Sequence, residues 1–279
     1  MAQENSYCGA LLRRHDADRY LTALFAPGER REALFALYAF NLEIARMREA
    51  VSEPMMGLIR LQWWRDALAE VAQGKARAHE VVRPLAAAIA AHNLSLPLFE
   101  RLIAARERDL DPAPPVDLES LVAYARESSG VLTELALEIL GMPTAGQRDA
   151  GQAAGIAWSL TGLLRAVPFH ASQRRVFLPA DLLREAGMTA GQLVERGFQP
   201  ALIPVIKAVA DEAGRWAAKT RSAGMVSRPF LPAFLPLSLA DLYRRRLVAA
   251  GFNPFDAKAQ QAPPWRVWRL TLHWLLGRC

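Results

Sequence analysis

Apolar residues along this chain recur at three- and four-residue intervals, the period of helices with one face turned inward. Alternation with period two, the mark of a half-buried strand, is nearly absent. The run from Glu29 to Val51 places Leu34, Leu37, Tyr38, Leu42 and Ala45 on one stripe and predicts a long buried helix. Ser52-Glu53-Pro54 ends it, because a residue before proline is pushed out of the α region. A second helix is predicted over Met55–Gln73, carrying Leu61-Gln62-Trp63-Trp64-Arg65 and stopping at Gly74. Similar periodicity predicts helices at 79–92, 96–109, 117–140, 145–167, 201–224, 231–250 and 264–276. Arg174 to Pro179 reads as a short extended or turn segment leading into Asp181. Proline-containing loops such as Asp111–Pro115 are short, and no fixed-period repeat occurs. The pattern predicts a single all-α domain over residues 1–279.

Composition narrows the setting. Hydrophobic residues make up 52% of the 279 positions and charged residues 22%, which fits a packed core and excludes disorder. The surplus of 34 Lys and Arg over 28 Asp and Glu gives +6, a modest bias toward anionic surfaces. The two cysteines, Cys8 and Cys279, stand far apart with no CxxC, so neither a disulfide framework nor a structural zinc site is expected. The first residues have no apolar h-region and no Arg-rich transit pattern, and no uncharged apolar run reaches membrane-spanning length. A cytoplasmic setting is therefore expected.

Several chemistries lack their sequence basis. The five histidines form no HExxH, and there is neither a GxGxxG after a strand nor a GxxxxGK[ST] loop nor a GxSxG elbow. Arg244-Arg245-Arg246 reads as a solvated helix face, and no nucleic-acid partner is expected. Acidic pairs at i, i+4 could hold Mg²⁺ from one helix face. They occur at Glu49/Glu53, Asp66/Glu70, Glu107/Asp111, Glu134/Glu138 and Asp181/Glu185, but none is Asp-xxx-Asp. Glu134 and Glu138 lie off the Leu132/Leu135/Ile139 stripe and are expected to face water. Asp181/Glu185 sits at a helix start, where acids suit the dipole.

From Tyr20 to Leu276 a series of segments resembles, in order, the squalene/phytoene synthase superfamily. They are Tyr20–Phe25, Arg30–Phe40, Trp63-Trp64-Arg65, Tyr124–Gly130, Leu160–Arg165, Arg174–Pro179 and Leu242–Arg246. The resemblance implies an isoprenoid-synthase helical fold around a central cavity. It also implies two aspartate-rich helices whose carboxylates hold Mg²⁺ against the diphosphates of two prenyl substrates. Here the first of those motifs aligns with Ala45-Arg46-Met47-Arg48-Glu49, and only Glu49 keeps an acid. The second aligns with Gly162, Ala166 and His170, and keeps none of its ligands.

Pro168 falls between Ala166 and His170, where its ring would clash with the Leu164 carbonyl. A break there would shift His170 away from the old ligand position. Gly155, Ser159, Gly162 and Ala166 form a stripe of small residues that suits close helix packing or a widened cavity.

Within the superfamily, the runs Phe40–Arg46, Val51–Arg65, Thr133–Gly141 and Arg165–His170 resemble the complex I assembly factor 6 branch. The resemblance implies a degenerate synthase, without catalytic residues or metal, that aids assembly of respiratory complex I at the membrane periphery. The lack of a transit pattern points to a bacterial relative of that branch. One alternative is a prenyl-diphosphate transferase keeping Mg²⁺ through Glu49. Another is a binder of prenyl phosphate or lipid that uses Arg46, Arg165 and Arg175 in place of metal.

The last helix adds a membrane question. Trp265, Trp268, Leu272 and Leu275 form one apolar stripe, with Arg266, Arg269 and His273 beside it. Docking of that stripe on the core is the expectation; a membrane surface is the alternative.

Overall fold

The computed structural model describes residues 6–49, 53–224 and 226–279; among them are sixteen α-helices and no strand. They are α1 (Tyr7–His15), α2 (Ala17–Ala23), α3 (Gly28–Ala45), α4 (Pro54–Ala72), α5 (Val82–His92) and α6 (Leu96–Glu107). Next come α7 (Leu118–Ala125), α8 (Val131–Leu140), α9 (Ala145–Arg165), α10 (Val167–Ser172), α11 (Ala180–Glu185) and α12 (Ala190–Arg196). The chain ends with α13 (Ile203–Ser222), α14 (Leu231–Ala249), α15 (Ala257–Gln260) and α16 (Arg266–Leu276).

The first buried helix is shorter than its periodicity predicts. It stops at Ala45, with Arg46 at φ −94°, ψ 7°, and Met47 and Glu49 close tight turns onto Ile44 and Arg46. The predicted end at Val51 lies outside the described residues. The predicted helix over 117–140 is α7 and α8 joined by one π-helical turn, Arg126–Gly130. The periodicity does not predict the short α12 and α15, nor α1 and α2, which share Asp16. Its backbone ends α1, and its side chain accepts from the Arg19 N–H to start α2.

Two packed regions position the cavity. In one, α3 is enclosed by α1, α5 and α8, and Phe40 meets Trp64 and Phe99 edge-on at 5.0 and 5.4 Å. In the other, α9 packs along α13, with Ile156, Leu160, Val205 and Val209 buried between them. A capping box of Thr144 and Gln147 starts α9. Its small stripe divides by role. A Cβ on Gly155 would stand 2.3 Å from the Ser129 carbonyl oxygen, so this end packs against the π-helical turn. A Cβ on Gly162 would meet nothing within 4 Å.

Two surface expectations are corrected. Glu138 does not face water: it accepts from the Ser95 N–H at 2.9 Å, so a carboxylate on α8 caps the start of α6. In α16 the predicted docking stripe points outward. Leu270 is fully buried instead, Arg266 donates to Asp18 at 2.9 Å, and Arg269 donates to the Ser238 carbonyl at 2.9 Å. The charged side found carboxylate and carbonyl partners on the body, leaving Trp268 78% exposed.

Candidate functional site

A polar recess of about 290 Å³ opens where α3 ends and α9 passes into α10. Ala45, Arg48 and Glu49 form one wall, and Leu163, Phe169 and His170 another. Arg106, Asp109 and Tyr124 close the floor, and Arg175 and Phe177 stand at the side.

The floor is a connected polar network on α3, α6, α7 and the 3-10 turn Arg108–Leu110 that follows α6. Arg106 donates to the Tyr124 hydroxyl at 2.7 Å, to Asp109 at 3.3 Å and to the Asn41 side-chain oxygen at 3.2 Å. Tyr124 in turn donates to Asp109 at 2.8 Å. Burial, reinforced by the Asp109 charge, pushes the Tyr124 phenol well above its ordinary range, so it stays protonated. Asn41, Asp109 and Tyr124 are all buried, so each member depends on the others for its hydrogen bonds.

The side wall is cationic and aromatic. The Arg175 guanidinium lies 4.9 Å from the Phe177 ring centre and donates to the Asp111 carbonyl at 3.3 Å. Burial disfavours its charge. The His170 ring lies 4.6 Å from Phe177, and its Nδ1 has no protein hydrogen-bond partner. Burial, then the nearby Arg175 charge, lowers His170 to about 4, so its imidazole is neutral at physiological pH.

The residues singled out in the sequence separate here. Ala45, Glu49, His170 and Arg175 share the recess. Ala166 breaks the helix at φ −82°, ψ 0°, as Pro168 predicts, yet His170 still reaches the cavity because α10 resumes at once. Gly162 and Ala166 are not among its walls.

The three arginines proposed as ligands do not converge. Arg46 pairs with Glu49 at 3.2 Å and lines a neighbouring cleft of about 210 Å³ with Leu42 and Arg60. Arg165 lies 3.6 Å from the Tyr243 ring centre and 3.7 Å from Asp18, a carboxylate that also accepts from Tyr243 at 2.7 Å. Arg48 and Arg106 occupy the recess in their stead. The first lies inside the motif already aligned. The second carries a local signal in Arg106-x-x-Asp109, an i, i+3 pair beside a buried tyrosine. Among the described residues, no three His, Cys, Asp or Glu side chains stand together as a metal set.

The sequence profile of the squalene/phytoene synthase family matches residues 12–269. The complex I assembly factor 6 of Rattus norvegicus is 32% identical over 256 residues, covering 91% of this chain and 77% of that protein. The presqualene diphosphate synthase of Rhodopseudomonas palustris is 27% identical over 174 residues, 61% of either chain. The crystal structure of a squalene synthase from Alicyclobacillus acidocaldarius superposes with a TM-score of 0.78 at 22% identity, over 89% of this chain and 94% of that one.

Proposed function

This chain belongs to the squalene/phytoene synthase family, and from that premise we propose that it assists assembly of respiratory complex I rather than condensing prenyl diphosphates. One observation carries the reading. Where metal-holding carboxylates would be required, the cavity has Ala45 and His170, in company with Arg48, Arg106 and Arg175.

Mg²⁺ takes hard oxygen ligands in near-octahedral geometry. The two carboxylates in the wall are each engaged by an arginine: Glu49 by Arg46 at 3.2 Å and Asp109 by Arg106 at 3.3 Å. Freeing Asp109 for a metal would leave a buried arginine without its counter-ion, and three cations around one recess oppose a dication. That donor set does not fit the ion. The likeness to the rat assembly factor, over nine-tenths of the chain, supports the role that replaces catalysis.

Two measurements test the reading together. Full-length protein incubated with farnesyl or geranylgeranyl diphosphate and Mg²⁺ gives no presqualene diphosphate, squalene or phytoene. Deleting the gene in its host lowers assembled complex I on native gels, and affinity capture of the chain recovers complex I subunits. Product formation beside unchanged complex I overturns the proposal.

The cavity also favours a second reading, metal-free binding of a prenyl phosphate or lipid phosphate. Guanidinium groups bind phosphate oxygens directly, and Arg48, Arg106 and Arg175 share one wall system. Titration with farnesyl diphosphate in EDTA tests it. Arg175→Ala weakens binding, whereas Arg165→Ala leaves it unchanged because Arg165 serves Asp18 outside the recess.

A further inference from the structure

The C-terminal helix is mounted with its polar side against the body and its apolar side toward solvent. Arg266 and Arg269 are spent on Asp18 and the Ser238 carbonyl, Leu270 fills the core contact, and Trp274 reaches Phe25 at 5.9 Å between ring centres. The outer arc holds Trp265, Trp268, Leu272, Leu275 and Leu276, all exposed, with no charge among them. Monomeric proteins rarely leave such a contiguous apolar strip in water without a use for it.

The surroundings say what covers the strip. The chain carries no acid after Asp256, while Lys258, Arg266, Arg269 and Arg278 fall in the same stretch. Arg228 is exposed and anchors its guanidinium on the Leu275 carbonyl at 3.2 Å, which sets a cation at the helix's end. Arg221 donates to the Cys279 carbonyl at 3.1 Å while its charge is paired with Asp241 at 2.5 Å. Asp18, which receives Arg266, and Asp241, which receives Arg221, are held inward by arginines and tyrosine. The helix therefore presents an apolar strip with two tryptophans and a basic end, and carries no acid of its own.

We propose that the outer face of α16, centred on Trp268 and Leu272, seats the protein on an anionic lipid surface. Tryptophan and leucine enter the boundary between headgroups and acyl chains, while Arg228 and Arg278 meet lipid phosphates. The docking is interfacial: among the described residues, no helix is long and apolar enough to cross a membrane. Seating by α16 is independent of the recess at the end of α3, so it does not rest on the reading of that cavity.

Co-sedimentation of the full chain with vesicles tests the proposal. Vesicles of phosphatidylcholine mixed with phosphatidylglycerol bind the protein, pure phosphatidylcholine binds it less, and added salt weakens the contact. Trp268→Ser combined with Leu272→Ser lowers partitioning by at least about tenfold, since both side chains lose their apolar transfer. Both residues are exposed, so the thermal melt stays that of the wild type. In the wild type, brominated acyl chains quench tryptophan emission, a readout that needs no variant. Failure of the wild-type protein to bind mixed vesicles, or binding by the double variant equal to wild type, overturns the inference. So does a dimer in sedimentation equilibrium that Trp268→Ser dissolves while lipid binding is absent, since the strip would then be covered by a second copy.

Discussion

The Arg106 guanidinium donates to the Tyr124 hydroxyl across 2.7 Å, and that same hydroxyl donates onward to Asp109. The phenol thus bridges a buried cation and a buried carboxylate. Tyr124→Phe keeps the ring but strips Asp109 of one donor and Arg106 of one acceptor. The expected loss is about 1–3 kcal/mol of stability, the cost of leaving buried polar groups unsatisfied. Urea denaturation of the two proteins measures it. A change within error would mean that water replaces the hydroxyl without cost.

His170 gives the fold a dependence on acid. Its pKa is lowered to about 4 by burial and then by Arg175, from an ordinary value near 6.5. Between those values the unfolded chain binds the proton that the folded chain refuses, so stability rises with pH across that window. His170's contribution is complete above about 6.5 and is lost as pH falls toward 4. Urea midpoints should therefore fall between pH 6.5 and 4, and His170→Phe should flatten part of that slope. An identical slope in the variant would assign the acid sensitivity to other groups.

Two glycines on α9 make opposite predictions. At Gly155 an added methyl would sit 2.3 Å from the Ser129 carbonyl oxygen and 2.7 Å from the Gly130 Cα, both backbone atoms that cannot swing aside. Gly155→Ala should cost about 1–3 kcal/mol, as overpacking does. At Gly162 the same methyl meets nothing within 4 Å, so Gly162→Ala should gain about 0.5–1 kcal/mol from helix propensity alone. Thermal melts of the pair check the contrast; equal effects would mean that α9 shifts to accommodate Gly155→Ala.

What the chain's periodicity made legible was the long helices, because Leu34, Leu37 and Leu160 recur on faces that must be buried. Pro168 likewise marked the break at Ala166. The site was less legible, for reasons of partnership rather than period. The end of α3 at Ala45 turns the chain before Arg46, so that Arg48 rather than Arg46 enters the recess. Arg165 looked available on its helix, but its carboxylate comes from α2, far away in sequence. Glu138 seemed solvated because its partner, the Ser95 N–H, belongs to another helix. In α16 periodicity defined the Trp268 stripe but not its direction, which Asp18 and the Ser238 carbonyl decide.

Asp18 is consequently the residue on which the posture of α16 turns. Its two oxygens accept from Tyr243 at 2.7 Å and Arg266 at 2.9 Å, with Arg165 at 3.7 Å. Burial, aided by the Asp18 charge, raises the Tyr243 phenol to about 12, so it remains a donor at any physiological pH. Asp18→Asn preserves shape and one acceptor but leaves two arginines without a counter-ion. The cost should be about 3 kcal/mol, the low end for breaking a buried pair, because both arginines keep some contact with water. The loss should be local: amide exchange across Arg266–Leu276 should quicken while α3 stays protected. Unchanged exchange in α16 would show that Leu270 alone holds the helix. Loosening would instead show that a single carboxylate on α2 keeps the tryptophan face turned outward.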